Sequence, residues 1–277
     1  MAENFLSCQP DEYYQRFLDH EIRPDGRKLN EYRYLNIGIG SISTADGSAV
    51  LKIGKTTVIC GVRAQLTNPP ILKPNHGYLV INVDIPGISK GLTKYTNDDE
   101  AYTISQIIQE MVSNSKMLDL KSLGIEHKKL SWVLFCDIII CNNDGNALDA
   151  CLLALVGALK NTRLPHVTVD EDEDIPIVNS VTKHELVLRE IPVCVTAAMF
   201  RENYVIIDPN TEEEKLSSGS IIVCSLEKGG ISYMSSVGAG LEGERKVEMF
   251  ERAKFHSERI RKELVTACEE QAQSMEY

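Results

Sequence analysis

One group of side chains in this sequence is concentrated enough to suggest a reaction centre: Asp208, at the end of an apolar run, followed by Glu212, Glu213 and Glu214. Carboxylates gathered just beyond a strand are a common way to hold Mg²⁺, although a solvated strand end carries the same residues. The other motifs fall away. Gly54-Lys55-Thr56 imitates the end of a phosphate-binding P-loop, but that loop needs a glycine where Ala49 stands and a helix where a strand pattern follows. Gly38-Ile39-Gly40 lacks a third glycine at Ser43 and lies among strands, so the dinucleotide fingerprint fails. The histidines, His20, His76, His127, His166, His184 and His256, are dispersed, and none is spaced from another His or a Cys as a metal ligand would be. No G-x-S-x-G elbow singles out a serine nucleophile. The expectation is therefore no cofactor and no metal.

The elements that must position these residues are legible as runs and turns. Asp11–Glu21 has apolar and aromatic residues at helical spacing and stops before Arg23-Pro24-Asp25-Gly26-Arg27, whose centre is turn chemistry. Strand-like runs follow at Leu35–Ser43, Ser48–Ile53 and Thr57–Ala64, joined by Ala45-Asp46-Gly47 and Gly54-Lys55, which predicts an antiparallel meander. Tyr78–Ile85 is a further strand. A helix is predicted over Glu100–Leu118, with Ile104, Ile107, Ile108, Met111, Val112 and Leu118 as its stripe and Asp98 or Asp99 as its cap. Leu130–Cys141 has almost no polar alternation, which predicts a strand buried on both faces. Ala147–Leu159 is apolar nearly all round and reads as an enclosed helix closed by Pro165.

The acid run Asp170–Asp174 and the polar stretch to Glu190 read as a boundary, dividing the chain into residues 1–188 and 189–277. Strands are predicted at Val193–Phe200, Tyr204–Asp208, Ser220–Leu226 and Ile231–Ser236, with Gly229-Gly230 as a hairpin turn. A closing helix would bury Val247, Phe250, Ala253, Ile260, Leu264 and Cys268. The second half thus repeats the order of the first, short strands and then a helix.

The chain is 277 residues long, 43% hydrophobic and 25% charged, ordinary values for a globular protein with a sizeable core. Its formal net charge of −11 repels a polyanion, so any contact with RNA is expected to be shared with other proteins. The eight cysteines contain no C-x-x-C pair and mostly lie in apolar runs, which suits packed thiols in a reducing compartment. No signal-peptide pattern opens the chain, and no run reaches the length of a membrane span.

Three segments together carry a resemblance: Arg23-Pro-Asp-Gly-Arg27, Gly40-Ser-Ile-Ser-Thr-Ala-Asp-Gly-Ser48 and Gly54-Lys-Thr-Thr-Val-Ile-Cys-Gly61. They resemble the opening of the RNase PH family, and the match runs on through Trp132–Pro165 and Val205–Pro209. Glu12-Tyr-Tyr14, Ser131-Trp-Val-Leu134 and Leu148-Asp-Ala-Cys151 are most similar to the catalytically silent ring-subunit branch of that family in the eukaryotic RNA exosome. The resemblance implies an α/β (α+β) RNase PH-like fold of two βα halves. The first, resembling ribosomal protein S5 domain 2, is expected to have helices on both sides of its sheet.

Active members of the family cleave RNA by phosphorolysis and need cations beside two anions. The resemblance places one of their phosphate-holding arginines, at a helix start, near Glu100, and a second, in a Gly-Ser-Arg or Gly-Thr-Arg turn, in Gly145-Asn146-Ala147. Two aspartates that bind Mg²⁺ or assist proton transfer correspond to Asp208 and, six residues on, Glu214. The charge is reversed at the first position and lost at the second, so no phosphorolysis is expected.

The implied role is a structural subunit of a hexameric ring of RNase PH-like proteins beneath S1/KH-type caps. RNA would pass through the shared channel to a separate nuclease during rRNA maturation and mRNA turnover in nucleus, nucleolus and cytoplasm. Lys90, Lys94 and, more weakly, Arg63 at its strand end are the candidates to face the RNA path; solvated surface cations are the plainer reading. The alternatives are an active phosphorolytic exoribonuclease using Lys90, Lys94 or Arg201 as substitute cations, and a stand-alone RNA-binding module, which the net charge disfavours.

Overall fold

The computed structural model describes residues 9–86, 94–126, 129–169, 176–200, 204–238 and 243–275. After helix α1 (Pro10–Leu18), the first sheet is built from β1 (Leu35–Ile39), β2 (Gly47–Ile53), β3 (Thr56–Thr67), β4 (Tyr78–Asp84), β5 (Gly124–Glu126) and β6 (Leu130–Asn142). Their order is β1-β2-β3-β6-β4, with β5 on β6. The meander is antiparallel as expected, and Ile53 pairs with Thr56, leaving Gly54-Lys55 as a two-residue turn. Gly54 takes φ +58 there, so the Gly-Lys-Thr triplet is a hairpin and not a phosphate loop. β4 lies parallel to β6.

Helix α2 spans Lys94–Ser115, a turn and a half earlier at its start than expected. Asp98 and Asp99 are therefore inside the helix rather than capping it, and Glu100 is not at its first turn. Lys116 at φ +51 ends the helix, so buried Leu118 lies beyond it and bridges to Leu188. Helix α3 (Ala147–Lys160) is buried along its length, with only Leu148 and Lys160 partly exposed. It packs against β2 and β3 on one side and β9 on the other, and each fully buried leucine in it contributes roughly 1.5–3 kcal/mol. Pro165 does not close this helix; it falls within β7 (Arg163–Val169).

Two expectations about the first sheet are corrected. In β6, Cys136, Ile138 and Ile140 are buried, while Asp137, Ile139 and Cys141 between them are exposed. The strand is central: Ser131–Leu134 are buried on both faces as expected, but from Cys136 on only one face is buried, and the apolar Ile139 and Cys141 hid the alternation. Helices accordingly cover one face of the sheet, not both. The polar stretch read as a boundary contains a hairpin, β7 with β8 (Pro176–Glu185); the acid run Asp170–Asp174 lies outside the described residues.

The second sheet, in order β10-β9-β11-β12, comprises β9 (Val193–Phe200), β10 (Tyr204–Ile207), β11 (Gly219–Ser225) and β12 (Ile231–Gly238). Short helix α4 (Thr211–Leu216) follows β10, and helix α5 (Gly243–Met275) ends the described chain. In α5, Ala253, Ile260 and Leu264 are buried and Phe250 and Cys268 half-buried as expected, but Val247 is 58% exposed and Met249 takes its place. One core runs continuously from Leu51 through α3 to Leu264. A satellite cluster of Leu18, Ala198, Phe200 and Ile206 seats α1 against the second sheet.

Candidate functional site

The site forms where three loops meet: the turn after α1, the turn before α3 and the corner between β10 and α4. In the first, Pro24 and Asp25 fill a tight turn in which the Gly26 N–H donates to the Arg23 carbonyl at 2.9 Å. This turn aims Arg23 and Arg27 at the β10–α4 corner. Arg23 is fully buried; it pairs with Glu213 through two nitrogens and donates to the carbonyls of Ile207 and Asp208, each at 2.9 Å. Glu213 also closes a capping box with Asn210, whose side chain accepts from the Glu212 and Glu213 amides.

Asp208 is fully buried and does not face solvent. Its Oδ1 accepts from Arg33 Nη2 and Asn146 Nδ2, both at 2.7 Å. Its Oδ2 accepts from Arg33 Nε at 2.8 Å, the Arg33 amide at 2.9 Å and Arg27 Nη1 at 3.2 Å. Arg33 also donates to the carbonyls of Asp144 and Gly145, tying the corner of the second half to the turn of the first. Burial works against the charge on Arg33, but the hydrogen bonds and the negative charge of Asp208 outweigh it and raise the guanidinium pKa. Among the described residues, no three His, Cys, Asp or Glu side chains converge as a metal site.

The turn before α3 is built from two consecutive left-handed residues, Gly145 at φ +83 and Asn146 at φ +58. Asn146 is the N-cap of α3, yet its side chain makes no cap hydrogen bond and is turned to Asp208 instead. A carboxylate from elsewhere serves this helix end: Glu214 Oε1 accepts from the Asn146 amide at 2.6 Å, where the positive pole of the helix favours an anion. Behind it, Asp149 is completely buried and accepts from the Thr196 amide at 2.9 Å and its hydroxyl at 2.8 Å. Desolvation raises the Asp149 pKa despite these donors.

The structure brings Glu100, Ala147 and Glu214 together. They line one cleft of about 430 Å³ with Asp99, Thr103, Ile104, Asn143 and Leu148. The lining contains three carboxylates and, among the described residues, no basic side chain. Asn146, Ala147 and Glu214 also border an adjoining 250 Å³ cavity with Thr196 and Pro209. Asp208 lines neither, and is joined to the second through Asn146.

Of the cations proposed from the sequence, Lys90 and Arg201 lie outside the described residues. Lys94 is the first residue of α2, with its side chain outside the described part. Arg63 sits within β3 rather than at the strand's end, on the open face of the sheet, with its guanidinium 5.7 Å from the Phe135 ring centre. The reading from sequence missed Arg23, Arg33 and Asp149 as site residues. The two arginines are charged residues in a turn region with no periodicity, and the only signal was their pairing with distant acids.

Comparisons with known proteins identify the family and the fold. Residues 31–165 match the family model described as the RNase PH 3′ exoribonuclease family, domain 1, and residues 190–254 match domain 2. The exosome complex component rrp43 of Schizosaccharomyces pombe is 34% identical over 215 residues, covering 77% of this chain and 79% of that one. The exosome complex component Rrp42 of Pyrococcus furiosus is 31% identical over 268 residues, covering 96% of each. Among solved structures, a chain of the Archaeoglobus fulgidus exosome with RNA bound to the active site superposes with a TM-score of 0.80 at 26% identity, covering 91% of this chain and 96% of that one. A chain of an archaeal exosome core gives 0.78 at 26% identity, covering 95% and 99%.

Proposed function

This chain belongs to the RNase PH family of 3′ exoribonucleases, and on that premise we propose that it is a ring subunit of an RNA exosome core that carries out no phosphorolysis itself. The observation that carries the reading is the cleft between α2, α3 and α4. A phosphorolytic site must seat orthophosphate next to an RNA phosphate, and here Asp99, Glu100 and Glu214 line the space instead. At about 4 Å and an effective dielectric near 20, each unit charge pair is worth about 4 kcal/mol. Exchanging attraction for repulsion at Glu100, and leaving an uncharged Ala147 at the second contact, therefore removes several factors of ten in rate at ~1.4 kcal/mol each. Glu214 already engages the Asn146 amide with its own carboxylate.

The partners that suit this reading are other RNase PH-like subunits in a hexameric ring, S1/KH-type caps, and RNA held in common with them. Its acidic surface fits contacts made mainly with proteins, the positive field along the RNA coming from neighbours. The processes served would be rRNA maturation and mRNA turnover in nucleus, nucleolus and cytoplasm. The test is an orthophosphate-dependence assay on the purified chain and on the reconstituted ring. No release of nucleoside diphosphates attributable to this subunit is expected. Release abolished by Asp208→Asn would overturn the reading in favour of an active exoribonuclease.

A further inference from the structure

The hairpin β7–β8 brings together two histidines far apart in the sequence. His166 on β7 and His184 on β8 are both exposed, with ring centres 5.5 Å apart and planes at 63°. Leu164 is the direct partner of His184 and Asn179 that of His166, so the imidazoles meet diagonally across the register shift between Pro165 and His166. Among the described residues, neither ring takes part in a hydrogen bond or an ion pair. The nearby charges, Arg163 and Glu185, are paired with each other at 3.1 Å.

That separation has a chemical meaning. Imidazole nitrogen binds Zn²⁺ at about 2.0–2.1 Å, and the ring centre stands about 1 Å behind the nitrogen, so two imidazoles on one tetrahedral ion have centres roughly 5 Å apart. Imidazole is a preferred ligand for Zn²⁺, Ni²⁺ and Cu²⁺. We propose that His166 and His184 form a surface two-histidine site for a late first-row divalent metal ion, with water completing its coordination. Both ligands stand on paired strands, so the second bond closes with little further loss of freedom. Among the described residues no third ligand converges on the pair, so the site is weaker than a closed four-ligand structural one. A bound ion would bridge β7 and β8 at the point where their pairing is irregular.

The probe is Zn²⁺ itself, titrated calorimetrically into the full-length, chelator-treated chain. One ion per chain, bound below millimolar Zn²⁺, is expected, and His166→Asn and His184→Asn should each weaken it at least tenfold. In hydrogen exchange, Zn²⁺ should slow the amides of 163–169 and 176–185 in the parent and leave them unchanged in both variants. Unaltered binding in either variant, binding without protection of the hairpin, or no binding below millimolar Zn²⁺ would each overturn the assignment.

Discussion

Arg33 and Asp208 form a two-pronged buried ion pair, Nη2 to Oδ1 at 2.7 Å and Nε to Oδ2 at 2.8 Å, and the Arg33 backbone amide adds a third bond to the same carboxylate. The aspartate that resemblance assigns to magnesium or proton transfer thus ties the β10–α4 corner to the segment before β1. Arg33→Ala strands a buried carboxylate and should cost about 3–5 kcal/mol of stability. Urea unfolding of the parent and the variant measures it; a loss below about 1 kcal/mol would mean that Arg27 and Asn146 suffice to hold Asp208.

The proposed loss of phosphate binding should rest on charge alone. Glu100→Arg combined with Ala147→Arg places two cations in the cleft that Glu214 borders. Calorimetry is expected to detect orthophosphate binding by the double variant and none by the parent. If the double variant is as silent as the parent, the electrostatic account of the cleft fails.

The turn before α3 should tolerate no side chain at Gly145. Its φ of +83 already strains any L residue, and an added Cβ would run into the Asn210 backbone and meet the Thr211 nitrogen at 2.5 Å. Gly145→Ala should therefore destabilise by at least about 2 kcal/mol, more than the ordinary cost of the exchange. Thermal unfolding checks this, and an unchanged midpoint would show that the two turns are free to part.

His256 makes the fold sensitive to acid. It is buried beneath Tyr32 and Phe255, with Nε2 3.3 Å from Asn30 Oδ1. Desolvation lowers its pKa, and Arg259 and Arg252 add to that, against the opposing pull of Asn30 and Asp208. The unfolded chain therefore takes up the proton first, so stability is intact above about pH 6.5 and falls as pH drops through it, by at most ~1.4 kcal/mol per pH unit. His256→Gln should flatten the change in urea midpoint between pH 7.5 and pH 5.5. Comparing the two proteins isolates this ring from Asp149, whose raised pKa works in the opposite sense.

Much of the fold was legible because periodicity and turn chemistry coincided. The Gly54-Lys55 hairpin, the enclosed helix at Ala147 and the Gly229-Gly230 turn follow from local rules that tertiary contacts did not override. Where apolarity came without burial, pattern misled: Ile139 and Val247 read as core, yet one lies on an open sheet face and the other on the exposed side of α5. The cleft was half legible. Glu100, Ala147 and Glu214 were named from resemblance and do share one surface. The arginine clamp was not, because Arg23 to Glu213 is a contact across the whole chain and leaves no local trace.

The enclosure of α3 also bears on how the chain is made. An apolar rod gripped by strands that follow it as well as strands that precede it cannot reach its final state while the later strands are still being synthesised. A nascent product ending before Val193 would leave that greasy surface bare, an invitation to chaperones or clumping. The two halves look like modules that evolution could trade separately, yet one continuous core joins them.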